Sequence, residues 1–150
     1  MNKQEMHMSK LASILLIDDS DPDNFYHRLV IGRAGVKCQV ESITSSHDAL
    51  KHLYKGLTAD DEDSNQLPQL IFLDINMPAM NGFEFLAKLR ELPDPYVRKK
   101  DLKIFMLTGS MNPDDRAMAI EQYGDLVTGF RIKPLTQDMI REIVKEYFPD

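Results

Sequence analysis

The chain has 150 residues, with 18 Lys and Arg against 24 Asp and Glu, a formal net charge of −6 and a pI of about 5.2. That is one domain's length, long enough to bury a core without metals or disulfides. One cysteine, Cys38, excludes a disulfide-stapled scaffold, no apolar run approaches a membrane helix, and the acidic balance argues against direct nucleic-acid binding.

In chain order, the opening MNKQEMHMSK is polar and lacks a signal peptide's apolar core. Residues 1–12 read as a polar extension ahead of a folded unit at 13–150, and the expected location is cytoplasmic. The first β-rich apolar run, 13–17, ends in Asp18-Asp19. Asp21-Pro22 starts a helix in which Phe25, Leu29, Val30 and Ala34 recur at helical spacing, closed by Gly35. A second strand is predicted over 37–43, with Val36, Cys38 and Val40 alternating inward. Ser45 or Ser46 caps a short helix carrying Ala49, Leu50, Leu53 and Tyr54, and Gly56 ends it. Residues 57–67, LTADDEDSNQL, form an acidic surface loop, longer than usual for an α/β unit and without calcium-loop spacing.

The third run, 70–73, ends on Asp74 and leads through a Met-Pro and Asn-Gly loop into a helix carrying Phe83, Leu86 and Leu89. A polar connection over 93–101 precedes a fourth strand that starts at Lys103 and ends on Thr108. Asn112-Pro113 starts the next helix, with Asp114 and Asp115 suited to its N-terminal dipole and Gly124 as its stop. The fifth strand is predicted over 126–132, ending at Lys133-Pro134. Thr136 caps a final helix whose apolar positions are Met139, Ile140, Ile143, Val144 and Phe148.

Five strands alternate with five helices. Strands 1, 3 and 4 are almost unbroken apolar runs, which implies burial on both faces and a parallel, doubly wound α/β sheet, (βα)5. In such sheets ligands bind outside the carboxyl ends of the strands. One rim would then gather Asp18, Asp19, Asp74, Thr108 and Lys133. Clustered carboxylates repel unless a cation intervenes, and an all-oxygen set suits Mg²⁺. An aspartate is a competent nucleophile toward phosphorus, and a lysine and a hydroxyl can hold the new phosphoryl oxygens.

These residues, as Ile17-Asp18-Asp19-Ser20, the run FLDINMPAMNG from Phe72 to Gly82, Leu107-Thr108-Gly109 and Lys133-Pro134, resemble a response-regulator receiver domain of the CheY-like type. The resemblance covers nearly the whole chain and implies the flavodoxin-like strand order 2-1-3-4-5. It implies that Asp74 is the phosphoacceptor and that Asp18 and Asp19 form the acidic pocket. Mg²⁺ would be held by Asp19, Asp74 and the backbone carbonyl of Asn76, with Asp18 acting through water. Thr108 and Lys133 would bind the phosphoryl group, Phe130 would be the aromatic switch, and the Lys133–Pro134 peptide would be cis. Three positions depart from the common pattern: Asn81 where Asp is frequent, Gly109 where Ala is frequent, and Phe130 where Tyr is commoner.

The function this implies is a stand-alone receiver phosphorylated by a sensor histidine kinase or a histidine phosphotransfer protein. It would accept phosphate and promote its own dephosphorylation rather than turn over a substrate. Output would pass to a downstream protein through the last two helices and the strand between them, about residues 113–148, or onward by phosphotransfer. A homodimer through that face stays open. Two other readings compete. A haloacid-dehalogenase-like phosphatase would want an acid two residues after its nucleophile, where this chain has Asn76, and a cap segment. A pseudo-receiver would bind a partner without phosphate, against which the complete residue set argues. His7, His27, His47 and His52 make no ligand cluster, and Cys38 reads as a small buried residue.

Overall fold

The computed structural model describes residues 11–58, 67–92, 102–110 and 112–149. Ten elements alternate along the chain: β1 (Ser13–Ile17), α1 (Asp21–Arg33), β2 (Gln39–Ile43), α2 (Ser46–Thr58), β3 (Leu70–Asp74), α3 (Gly82–Arg90), β4 (Lys103–Thr108), α4 (Pro113–Tyr123), β5 (Gly129–Ile132) and α5 (Gln137–Tyr147). The five strands form one parallel sheet in the order β2-β1-β3-β4-β5. This is the flavodoxin-like, CheY-like topology that the resemblance implied.

The apolar runs explain the order. β1, β3 and β4 are buried on both faces and fill the middle of the sheet, whereas β2 and β5 alternate or are half-exposed and take the edges. Successive side chains split the core into two layers. Leu15, Ile17, Ile71, Leu73, Ile104 and Met106 pack under α2, α3 and α4. Ile14, Leu16, Leu70, Phe72, Phe105 and Leu107 pack under α1 and α5.

Register sets the rim. Ile17 pairs with Leu73, Asp74 with Leu107 and Thr108 with Ile132. Asp18, Asp74, Thr108 and Lys133 therefore emerge at one carboxyl edge of the sheet.

Several local expectations shift. On α1 the inward residues are Asn24, His27, Val30 and Ile31, while Phe25 is 65% exposed and Leu29 lies at the surface. α2 runs through Gly56 to Thr58: a Cβ at Gly56 would lie 2.5 Å from Leu67 Cδ2, so this glycine admits a neighbour rather than stopping the helix. Tyr54 on that helix is exposed. β2 starts at Gln39, so Cys38 lies just before it and is only half-buried, packed against the layer beneath α1 and α5. Burial pushes its thiol up to about 11. β5 starts at Gly129 because the Leu126 and Val127 amides both donate to Tyr123 O at the end of α4. Leu11, counted with the N-terminal extension, is buried in the core, and the Ala12 carbonyl accepts from the Gln39 amide. The packed unit thus includes residues 11 and 12. Most of the acidic loop and all of the 93–101 connection lie outside the described residues.

Candidate functional site

Asp18 leaves the end of β1 and is buried. Its Oδ1 accepts the Ser20 amide at 2.9 Å, its backbone carbonyl accepts Asn24 Nδ2 at 2.8 Å, and its Oδ2 stands 2.7 Å from Lys133 Nζ. Ser20 is also the N-cap of α1, its hydroxyl accepting the Asp23 amide, so the turn that aims Asp18 also starts the helix. Asp19 projects outward and is exposed.

Asp74 ends β3, buried at 4% exposure. The loop behind it is fixed by close packing. Gly82 donates to Ile75 O at 2.8 Å, and a Cβ there would lie 2.8 Å from the Asp74 carbonyl, so only glycine lets α3 start this near the aspartate. Ala79 has φ of 66°, at the centre of a tight turn closed by Met80 N to Pro78 O at 2.7 Å. The buried Ser46 hydroxyl donates to Met80 O at 2.8 Å and pins the loop to α2. Asn81 caps α3 in a reciprocal capping box with Glu84, so asparagine here fills the structural place of the commoner aspartate.

Thr108 ends β4 and is buried; its hydroxyl donates to Ser110 O at 2.6 Å. Lys133 follows β5. Its amide donates to Thr108 O at 2.8 Å, and the Lys133–Pro134 peptide is cis. Its ammonium faces three carboxylates, Asp18 at 2.7 Å, Asp23 at 3.0 Å and Asp74 at 3.2 Å. Carboxylate oxygens of Asp18, Asp19 and Asp74 all lie within 4.8 Å of one another. Phe130 is half-buried and packs against the core layer beneath α4.

The electrostatics follow from this crowding. Burial, and then the Asp18 charge, push the Asp74 carboxyl up to about 6, against the pull of Lys133 and the Asn76 amide. For Lys133, burial acts to lower the pKa, but the hydrogen bonds to Asp18 and Asp23 and the charges of Asp18 and Asp74 outweigh it, so the ammonium is held above its ordinary range.

The structure thus brings Asp18, Asp19, Asp74, Thr108 and Lys133 to one rim. It adds three residues that sequence reasoning passed over. Asp23 pairs with Lys133, although its place in a helix's first turn reads as dipole chemistry alone. Asn24 supports Asp18 while its own Oδ1 is buried with no partner among the described residues. His27 is buried at 2% exposure; burial, then the Lys133 charge, lowers its pKa against Asp18 and Asp23, which keeps the ring neutral at pH 7. The signal available was the spacing of Asn24, His27 and Ile31, which share one helix face. Their polar types hid it.

A family model described as "Response regulator receiver domain" matches residues 14–145. The chain is 30% identical over 147 residues to a hybrid signal transduction histidine kinase L of Dictyostelium discoideum, covering 97% of this chain and 8% of that protein. It is 26% identical over 138 residues to a probable methanogenesis regulatory protein FilR2 of Methanothrix harundinacea, covering 90% of this chain and 82% of that protein. It therefore spans a small fraction of the kinase and most of the regulator. Among solved structures, it is similar to a two-component response regulator from Cytophaga hutchinsonii, with a TM-score of 0.79 and 29% identity over 92% of this chain and 97% of that one. A response regulator receiver protein from Dyadobacter fermentans gives a TM-score of 0.74 and 26% identity over 93% and 99% of the two chains. The agreement of sequence and topology over nearly the whole length shows that this chain belongs to the response regulator receiver domain family of two-component signalling.

Proposed function

We propose that this receiver accepts a phosphoryl group on Asp74 in a Mg²⁺-dependent reaction, from a histidine of a sensor kinase or of a phosphotransfer protein. The observation that carries the reading is the Lys133 ammonium 3.2 Å from a buried Asp74 carboxylate, beside the oxygens of Asp18 and Asp19.

The donor set fits the metal. Three carboxylates supply hard oxygen ligands, as Mg²⁺ requires. Asp19 has no ion pair among the described residues and is open to direct ligation. Both Asp18 oxygens already accept a hydrogen bond, from Ser20 and from Lys133, which suits a role through water. Asp74 and the backbone carbonyl of Asn76 would complete the protein's ligands. When bound, the ion supplies positive charge against the phosphoryl oxygens.

In the transfer, an Asp74 carboxylate oxygen forms a bond to phosphorus while the bond from phosphorus to the donor atom breaks, and the electron pair leaves with the donor. Losing the proton held with a pKa of about 6 prepares Asp74 as the nucleophile at neutral pH. Lys133 turns from the Asp74 carboxylate to a phosphoryl oxygen. Thr108 exchanges its bond to Ser110 O for one to the phosphoryl group. Phe130 then follows the Thr108 loop as the switch residue.

Output leaves through α4, β5 and α5. Supporting this face, Ile120 on α4 is 62% exposed and Ile132 on β5 is 44% exposed, two large apolar residues at the surface. We read the receiver as acting in the cytoplasm, by protein contact or onward phosphotransfer. No helix among the described residues is long and apolar enough to cross a membrane.

The test is incubation of the purified protein with acetyl phosphate, with and without Mg²⁺, followed by intact mass. One phosphoryl adduct that needs Mg²⁺ and is lost in Asp74→Asn is expected. Turnover of added phosphoesters, or no adduct with either acetyl phosphate or a kinase partner, would overturn the reading.

A further inference from the structure

Asp23 stands apart from the acidic pocket yet shares its lysine. It occupies the third helical position of α1, after the cap Ser20. An acid at that position ordinarily reaches back to the backbone N–H of the cap residue. Here that amide is already taken by Asp18 Oδ1 at 2.9 Å. The Asp23 carboxylate is released from capping and lies 3.0 Å from Lys133 Nζ.

The consequence is an ammonium that donates hydrogen bonds to Asp18 and Asp23 while lying 3.2 Å from the Asp74 carboxylate. Asp18 and Asp74 belong to the carboxylate group that could hold a cation, and Asp23 does not. A cation on those carboxylates would therefore not engage Asp23, which would keep its hold on Lys133. Asp23 is also the most open of the three partners, its side chain 43% exposed against 4% for Asp18 and 6% for Asp74. As an exposed negative charge beside Lys133, it repels an anionic phosphodonor that nears the lysine and competes with it for the ammonium.

We propose that Asp23 is a positioning residue that acts as a brake: it holds Lys133 away from the incoming phosphoryl group and slows phosphate transfer onto Asp74. The inference rests on Asp74 being the phosphoacceptor. Loss of Asp23 leaves Lys133 anchored by its buried pair with Asp18, so the lysine stays in place with one proton and more net charge free for the phosphoryl oxygens.

The experiment compares wild type, Asp23→Asn and Asp23→Glu for the initial rate of adduct formation with acetyl phosphate at saturating Mg²⁺, at low and high salt. Asp23→Asn should react faster, on the order of threefold to tenfold at low salt, with the gain shrinking as salt screens the charge. Asp23→Glu, which keeps the charge, should stay close to wild type. An equal or slower Asp23→Asn, or a gain indifferent to salt, overturns the brake. A second readout needs no phosphate: the Lys133 ammonium resonance in the metal-free protein should shift in Asp23→Asn and return in Asp23→Glu. An unmoved resonance overturns the contact. If the resonance moves while no protein, wild type included, forms an adduct, the phosphoacceptor reading has failed and the brake with it, while the contact stands.

Discussion

Lys133 Nζ lies 2.7 Å from Asp18 Oδ2, joining the end of β5 to the end of β1 across the two intervening strands β3 and β4. Both side chains are largely removed from water, at 18% and 4% exposure, so the pair cannot be treated as a surface ion pair. Lys133→Met leaves the Asp18 charge buried without its counter-ion. In metal-free buffer at neutral pH it should lower unfolding stability by about 3 kcal/mol. The double variant with Asp18→Asn should lose clearly less than the two single losses added, which a double-mutant cycle in urea measures.

Asp74 gives a stability effect of opposite sign. Its folded pKa of about 6 stands above the ordinary 3.8, because burial and then Asp18 penalise its charge. The native state therefore binds this proton more tightly than the unfolded chain. The group's contribution is fully present below the unfolded pKa and is lost as pH rises toward about 6, leaving a constant penalty beyond it. Asp74→Asn removes that penalty. Without metal at neutral pH the variant should be more stable than wild type, on the order of 2 kcal/mol. The difference should fade as pH is lowered through the window, as paired denaturation curves would show. Added Mg²⁺ should narrow the gap by stabilising wild type alone.

The loop after β3 gives a cleaner structural test. Asn81 contributes a side-chain acceptor to the Glu84 amide and receives Glu84 at its own amide. Asn81→Asp keeps that acceptor and should change stability by no more than about 0.5 kcal/mol, whereas Asn81→Ala should cost about 1 kcal/mol. Gly82→Ala drives a methyl to within 2.8 Å of the Asp74 carbonyl and 3.0 Å of Ile75 Cα. Both contacts are with backbone, which cannot yield cheaply, so a loss of about 1–3 kcal/mol is expected. Thermal unfolding resolves all three.

On α1, the exposed Phe25 and the buried Ile31 should behave oppositely. Phe25→Ser should shift stability by less than about 0.5 kcal/mol, and Ile31→Ala should cost about 2–4 kcal/mol. A comparable loss at Phe25 would contradict the orientation of this helix.

The same helix shows where sequence reading stopped. The buried strands were legible because apolar runs such as 13–17 and 70–73 have one physical explanation, burial on both faces. The rim residues were legible because a parallel sheet delivers each strand's last residue to one edge, which gathers Asp18, Asp74, Thr108 and Lys133. α1 was legible only in part: Val30 and Ala34 face the core as expected, but the inward face also carries Asn24 and His27, which hydrophobic periodicity discards, while Phe25 and Leu29 face water. The buried amide holds the Asp18 carbonyl, a tertiary demand that no local pattern encodes. Gly56 looked like a stop because glycine weakens helices, yet its missing Cβ makes room for Leu67. Asp23 was hidden by a sufficient local reason for an acid in a first turn, and only the lysine 110 residues away reveals its second role.

The most direct test of the central claim is to locate the phosphoryl group. After acetyl phosphate and Mg²⁺ treatment, borohydride reduction converts an acyl phosphate of aspartate to homoserine, which peptide mass spectrometry assigns to a residue. Homoserine at position 74 alone, dependent on Mg²⁺, is the predicted result. Homoserine at Asp18, Asp19 or Asp23 instead, or a Mg²⁺-independent adduct, would contradict the assignment of Asp74 as the phosphoacceptor.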